Sequence, residues 1–319
     1  MSTSGADIRR PDHAARGAAV LAVAIAALVL APDARAQDDG ARVYQLAPSG
    51  AQALTAFAVV KRGNEQPEIG SITPGSDIDT DIVVVRYVRT FSLAGRQLSP
   101  FVILPVGEVS TTANHPDKRS DISSGLGDIQ IGGVVGLVGS PALHPDEYAA
   151  FKPGFATGLF AKIYFPTGEY DSAKPVNFGS NRFAFQVGLP TSYTIGATYR
   201  DPALTTIEVF PTLTFYEDNG RPFGARSSSK DPLLSLEGHL TRNLSQTVWL
   251  SAALPIEQVG ETTTDGVGDE NSMRGLSGGG SAAVMLGRAT LVLTYEAVIA
   301  RSDDGPDGWF FRSALVMPF

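Results

Sequence analysis

From residue 51 onward the chain repeats one pattern: segments of about ten residues or more in which every second side chain is apolar, with turn-forming residues between them. Ile207, Val209, Leu213 and Phe215 share a face against Thr206, Glu208, Thr212 and Thr214. Leu291, Leu293, Tyr295, Ala297 and Ile299 oppose Thr290, Thr294 and Glu296, and Val248, Leu250, Ala252, Leu254 and Ile256 form a third such row. Successive side chains of a strand point to opposite faces, so each segment has one oily face and one wet face. This reading gives twelve strands, at about 51–61, 80–91, 96–106, 127–138, 153–165, 182–196, 205–216, 232–242, 246–256, 277–287, 289–300 and 308–319. Each is long enough to cross a bilayer as a tilted strand, whereas no apolar run after residue 36 reaches the length a helix needs. The predicted fold class is all-β: a transmembrane antiparallel up-and-down β-barrel of about twelve strands over residues 51–319.

The end of the chain agrees. Phe319, Met317, Leu315 and Phe311 fall on one face of the last segment, while Arg312 and Ala314 point the other way. Phe319 is a membrane-assembly terminus in this reading, resembling the tag that barrel-assembly machinery recognises. A final strand docked in a secreted β-sandwich or adhesin is the alternative, and it has no need of a terminal aromatic.

At the other end, Arg9, Arg10 and Arg16 precede an apolar run from Ala18 to Ala31, followed by Ala34-Arg35-Ala36. That is the layout of a secretory signal peptide over residues 1–36, with cleavage expected after Ala36. The run is too short for a comfortable helical crossing of ~30 Å, and the Arg-Arg pair lacks the rest of a twin-arginine pattern. Residues 37–50 are expected to form an N-terminal periplasmic segment. Removing residues 1–36, with four Arg and three Asp, takes the formal charge from −8 to −9. An acidic chain without a basic tract makes no case for nucleic acid. The absence of cysteine excludes disulfides, zinc-thiolate sites and thiol nucleophiles.

Connections alternate in length. Long polar ones span about 62–79, 107–126, 166–181, 217–231 and 257–276, and short ones sit at 93–95, 199–204, 243–245 and 287–288. Brief periplasmic turns and long outer loops are the asymmetry of an outer-membrane barrel, and an even strand count puts both termini in the periplasm. Segment 139–152 is long on the periplasmic side, with a short helical turn expected at Asp146 to Ala150, and 301–307 is short on the outer side. Pro100, Pro190 and Pro211 fall inside expected strands, where a missing N–H breaks the ladder. Pro105, Pro166 and Pro255 come at expected outer strand ends.

No catalytic residue, metal or cofactor is expected. His115 and His144 read as solvated loop residues. Ser235, Glu237, His239 and Thr241 share one strand face, but same-face neighbours stand about 7 Å apart, so a triad would need partners from adjacent strands. The acidic clusters Asp77, Asp79 and Asp81, Asp265, Asp269 and Glu270, and Asp303, Asp304 and Asp307 do not fit a calcium-binding hand. Gly278-Gly279-Gly280 lacks the helix and lysine of a phosphate cradle and suits close packing in a curved wall instead. Charges on strands are aimed inward, because a Lys or Arg facing lipid at mid-membrane costs about 2–4 kcal/mol. Arg86 and Arg89 lie on opposite faces of one strand, so at least one must reach a rim. The inward residues chosen as a substrate pathway are Lys162, Glu208, Glu237, His239 and Glu296.

Ser124-Gly125-Leu126-Gly127-Asp128-Ile129, then Tyr164-Phe165-Pro166-Thr167-Gly168-Glu169-Tyr170-Asp171, then Asn177-Phe178-Gly179-Ser180-Asn181 occur in that order. In these pieces the chain resembles the outer-membrane transporters named for the MetA pathway of phenol degradation, over most of residues 50–319. The matching motif positions are Gly125, Gly127, Asp128, Pro166, Thr167, Gly168, Tyr170, Asp171, Asn177, Gly179 and Asn181. The resemblance implies a barrel that passes small compounds, hydrophobic or aromatic ones among them, across the outer membrane of a Gram-negative bacterium. It brings no agreed catalytic or binding residues. The expected function is a passive channel, its partners being outer-membrane lipid, the barrel-assembly machinery and small-molecule cargo. A barrel enzyme acting on lipids is the alternative.

Overall fold

A computed structural model describes residues 39–73, 75–113 and 120–319. The expected signal peptide, its cleavage site and His115 lie outside the described residues. Twelve strands form one closed ring. They are β1 (Gln52–Gly63), β2 (Ser76–Arg89), β3 (Arg96–Ala113), β4 in two pieces (Ser120–Leu126 and Gln130–Val138), β5 (Phe155–Tyr164) and β6 in two pieces (Ala184–Gly188 and Thr191–Ile195). The ring continues with β7 (Thr205–Tyr216), β8 (Leu233–Asn243), β9 in two pieces (Val248–Ala253 and Ile256–Val259), β10 (Met273–Leu286), β11 (Ala289–Arg301) and β12 (Gly308–Pro318). Each pairs antiparallel with the next, and β12 returns to β1 with Leu54 opposite Met317 and Lys61 opposite Phe310. Closure removes every free edge from the ring, the condition for a sheet to live in hydrocarbon.

Burial alternates residue by residue. Along β8, Leu233, Ser235, Glu237, His239 and Thr241 are buried, whereas Leu234 is 51% and Leu240 53% exposed. The apolar rows expected to face lipid do so at Ile207, Val209, Phe215, Leu254, Ile256, Leu293 and Ile299, all exposed, whereas Ala297 of the same rows is only 4% exposed. On β12, Phe311 and Leu315 are exposed, as is Phe319 just past its end, and Phe310 and Ala314 are buried. Exposed apolar side chains on this scale form a lipid-facing belt. Arg86 points inward, its guanidinium over Phe101 at 4.6 Å and Tyr44 at 5.6 Å, while Arg89 reaches the rim over Phe91 at 5.0 Å.

Three expectations need correction. The 107–126 connection is mostly ladder, since β3 runs to Ala113 and β4 begins at Ser120. There the sheet stands beyond hydrocarbon and its outer face is largely polar; Asp77, Asp79, Asp81 and Glu108 are exposed, so no apolar row marks that face, while Ile78 and Val109 are buried on the inner one. Pro105 does not end a strand but sits within β3 opposite Val84, its carbonyl accepting from Gly127 N at 2.9 Å. Pro255 falls between the pieces of β9, which resumes to Val259, with Ser277 N donating to its carbonyl at 2.8 Å. Pro166 alone follows a strand end. Pro190 and Pro211 share one irregularity: β6 is interrupted beside Pro211, and Leu189 N donates to the Pro211 carbonyl at 3.1 Å.

The long connections lie at one end of the ring, the outer end, and β1 begins and β12 stops at the other, the terminal end. At the terminal end, helix α1 (Pro145–Ala150) supplies the expected helical turn. His144 is its N-cap and donates its backbone N–H to Glu147 at 2.8 Å.

Candidate functional site

The lumen is where the inward side chains meet, and the structure brings four of the five chosen residues onto one stretch of wall. Lys162 is on β5, Glu208 on β7, and Glu237 and His239 on β8. Glu208 stands opposite His239 in the ladder, and His239 Nε2 is 3.8 Å from Glu237 Oε2. Glu296 lies apart on β11, fully buried beside Gly279. A Cβ on Gly279 would come within 2.7 Å of the Glu296 Cγ, so the glycine makes room for that side chain. Ser235 and His239 are four residues apart on one strand face, about 13 Å at ~3.4 Å per residue, and no hydrogen bond joins them.

The lumen is filled by the chain itself from both ends. From the terminal end, residues 39–50 run along the wall. Asp39 N donates to Glu237 Oε2 at 3.3 Å, Arg42 N is shared by the two Glu208 oxygens at 3.1 and 3.0 Å, and Ala47 N donates to Gln97 Oε1 at 2.9 Å. The Arg42 side chain reaches Asn243 at 2.7 Å and covers the Trp249 ring. Tyr44 meets Phe160 and Phe210 edge-on at centroid distances of 5.5 and 5.0 Å, and its hydroxyl donates to Asp39. Two of the inward carboxylates thus hold backbone N–H groups of this segment. Arg42 and Tyr44 carry no periodic signal, which is why the sequence did not mark them.

From the outer end, the connection after β1 folds inward. Ile69 and Ile72 pack on buried Leu233, Val259 and Met273, and Tyr216 donates to the Ile69 carbonyl at 2.9 Å. Arg182 grips Glu68 through two bonds at 2.7 and 3.2 Å, and Lys230 donates to Ser71 Oγ at 2.8 Å. Burial pushes the Glu68 carboxyl up, but Lys230 and Arg182 together outweigh it and hold it below its ordinary value. Burial drives the Lys230 ammonium down to about 8 against the pull of Glu68.

The recurring motif pieces form a clamp beside this roof. The Asp128 carboxylate accepts from Gly168 N at 2.9 Å, Ser180 N at 2.9 Å and Ser180 Oγ at 2.5 Å. Gly168 and Gly179 cross so closely that a Cβ on Gly168 would meet the Gly179 Cα at 2.7 Å. Thr167 Oγ1 accepts from Ile129 N, just past the end of β5 where Pro166 turns the chain. Asn177 bridges Asp171 N at 2.7 Å and the Asp171 carbonyl at 3.1 Å. Tyr170 donates to the Arg221 carbonyl and Asn181, at φ 55°, donates to Asn219. Gly127 leaves space where a Cβ would strike Phe178 and Pro105, and Gly125 adopts φ 144° beside Glu169. These eleven positions therefore fasten the β5–β6 connection to β4 and place Val176 and Phe178 on Ile78 and Val109.

Among the cavities lined by the described residues, two border these segments. One of about 440 Å³ opens at the terminal end beside Phe57, Arg86, Trp249 and Arg312. The other, about 190 Å³, lies between the segment at Asp39 and the roof at Pro67 and Ile69, walled by Lys162, Tyr164, Gln186, Ser235, Glu237 and Glu257. The acidic clusters serve local structure: Arg62 pairs with Asp81 at 2.9 Å, Asp265 accepts from Arg226 N and Ser227 N, and Arg301 pairs with Asp307.

The profile of the family described as "Putative MetA-pathway of phenol degradation" matches residues 61–305. Among solved structures, an outer membrane channel from Pseudomonas putida F1 superposes with a TM-score of 0.70 at 17% identity, covering 89% of this chain and 100% of that one. The translocator domain of the autotransporter NalP from Neisseria meningitidis gives 0.44 at 13% identity, covering 96% of each chain. Comparison with curated proteins gives no match.

Proposed function

Because this chain belongs to the MetA-pathway phenol-degradation family, matched over residues 61–305, we propose that it is an outer-membrane channel for passive passage of small molecules. The observation that carries this reading is a closed twelve-strand ring with a lipid belt outside and a polar wall inside, whose lumen is stopped by two chain segments rather than by a solid core. Side chains fill the interior of an eight-stranded barrel, and sixteen strands leave a water channel; twelve strands leave a lumen that folded-in segments can narrow to a selective path. The terminal and roof segments are held by a countable set of polar bonds, so they can shift while the wall stands. The outer-membrane channel of similar fold supports the location and the task, and the family description suggests aromatic compounds among the cargo. Once the terminal segment shifts, Phe101, Phe160 and Phe210, which pack together under Tyr44, would offer such a compound a contact surface. In this reading both termini face the periplasm, Lys162, Glu208, Glu237, His239 and Glu296 border the path, and catalysis plays no part.

The test is ion conductance of the folded full-length protein in planar bilayers, with and without small aromatic acids. Discrete conductance steps are expected, larger after deletion of residues 37–48. Silent bilayers from both folded proteins would overturn the channel reading.

A further inference from the structure

The 190 Å³ chamber between the terminal segment and the roof holds hydrogen-bonding groups that the protein leaves unused. Ser235 is 5% exposed and lines the chamber, yet its hydroxyl makes no hydrogen bond within the described residues. Glu257 stands directly opposite it across the β8–β9 ladder, and its carboxylate likewise accepts no hydrogen bond there. Gln130 adds a third side chain without a hydrogen-bond partner among the described residues. The other polar walls are committed: Glu237 accepts from Asp39 N, Asp39 accepts from Tyr44, Gln186 donates to Thr212, and the Lys162 ammonium lies over the Tyr164 ring at 4.8 Å.

What remains is rich in acceptors. A carboxylate has no proton to give, and a hydroxyl can accept as readily as it donates. Cross-strand partners have Cβ atoms about 5 Å apart, so Ser235 and Glu257 can bond one shared donor group. A half-buried carboxylate without hydrogen bonds is costly to keep charged, and a cation bonded to it removes that cost. Of the charged side chains that line the chamber, three are carboxylates, from Asp39, Glu237 and Glu257, and one is an ammonium, from Lys162, while Lys61, Lys230 and Glu65 act on Glu257 from beyond the lining; the lining itself favours positive charge. Water occupies about 30 Å³ per molecule in the liquid. The chamber thus has room for about six waters, or for one organic molecule of roughly five to eight heavy atoms.

We propose that this chamber is a binding site for a small organic cation, a primary ammonium held between Glu257 and Ser235. The proposal deepens the channel reading by naming the polar group that the path selects, and it rests on that reading only for its place in transport. Binding at equilibrium needs no conduction, so silent bilayers would sink the channel and leave the site standing, whereas failure to bind would do the reverse.

The experiment is calorimetric titration of the folded full-length protein in detergent with n-butylammonium, n-butanol and n-butyrate, three probes of nearly equal size. Wild type should bind one n-butylammonium per chain, with n-butanol and n-butyrate at least about tenfold weaker, the scale of one charge-assisted hydrogen bond. Glu257→Gln should weaken n-butylammonium about tenfold or more, and Ser235→Ala by a smaller factor, with heat-modifiable mobility confirming that each variant is folded. Equal binding of n-butyrate and n-butylammonium, no binding of any probe, or unchanged affinity in folded Glu257→Gln would overturn the proposal. If neither variant folds, the three-probe series on wild type decides it alone.

Discussion

Tyr44→Ala should unseat the terminal segment from the lumen while leaving the barrel intact. The Tyr44 ring makes edge contacts with Phe160 and Phe210, on two different strands, at 5.5 and 5.0 Å. Such contacts contribute about 0.5–1.5 kcal/mol each, and the apolar area returned to water adds about 1 kcal/mol for a half-buried ring. The hydroxyl bond to Asp39 stays within the segment and contributes little to its seating. The total is about 3 kcal/mol, which lowers the ratio of seated to free segment roughly a hundredfold. Native-state hydrogen exchange reads this directly, because Arg42 N and Ala47 N are bonded to wall side chains, Glu208 and Gln97. Their protection should fall by up to that factor while strand amides of β7 and β8 keep theirs. Glu208→Gln, which keeps an acceptor but removes the charge, should give a smaller loss at Arg42. Unchanged protection of both amides in folded Tyr44→Ala would refute the reasoning.

Other outcomes follow from the same contacts. Asp128→Ala strips three bonds from Gly168 and Ser180, so the β5–β6 connection should become sensitive to protease in intact barrels; Gly168→Ala should do the same, and Gly154→Ala, where a Cβ meets nothing within 4 Å, should not. Glu68 is held below its ordinary value near 4.5, so its contribution to roof docking is complete above that pH and is lost as pH falls through the docked value. Exchange in residues 64–73 should therefore rise on acidification, and Glu68→Gln should abolish that acid dependence; an identical profile in the variant would refute it. Deleting Phe319, exposed and stacked on Tyr87 at 6.4 Å, should sharply reduce the amount of heat-modifiable barrel recovered from outer membranes, and equal recovery would remove its role in assembly.

Much of the wall was legible because the bilayer imposes a two-residue period on whatever crosses it. The faces of Ile207 to Phe215 and of Leu234 to Leu240 follow from that period alone. The ladder past the membrane was not, since Asp79, Glu108 and Thr112 stand in water on an outer face that needs no oily row. Prolines misled in a specific way: Pro105 and Pro255 look like stops, yet a neighbouring strand bonds their carbonyls and the ladder resumes. In the lumen, charge and alternation placed Glu208 and Glu237 inward, but their partners are backbone N–H groups of residues 39 and 42, which no side-chain pattern announces. The motif around Asp128, Gly168 and Gly179 stood out as residues, while its work, a crossing of two glycines under one carboxylate, is visible only in three dimensions.

The face assignment on which all this depends can be measured on one strand. The chain has no cysteine, so single cysteines placed from Leu233 to Asn243 can each carry a fluorophore in lipid bilayers containing a quencher confined to the acyl chains. Labels at 234, 236 and 240 should be strongly quenched and those at 235, 237 and 239 spared. Uniform quenching, or none at any position, would contradict the barrel.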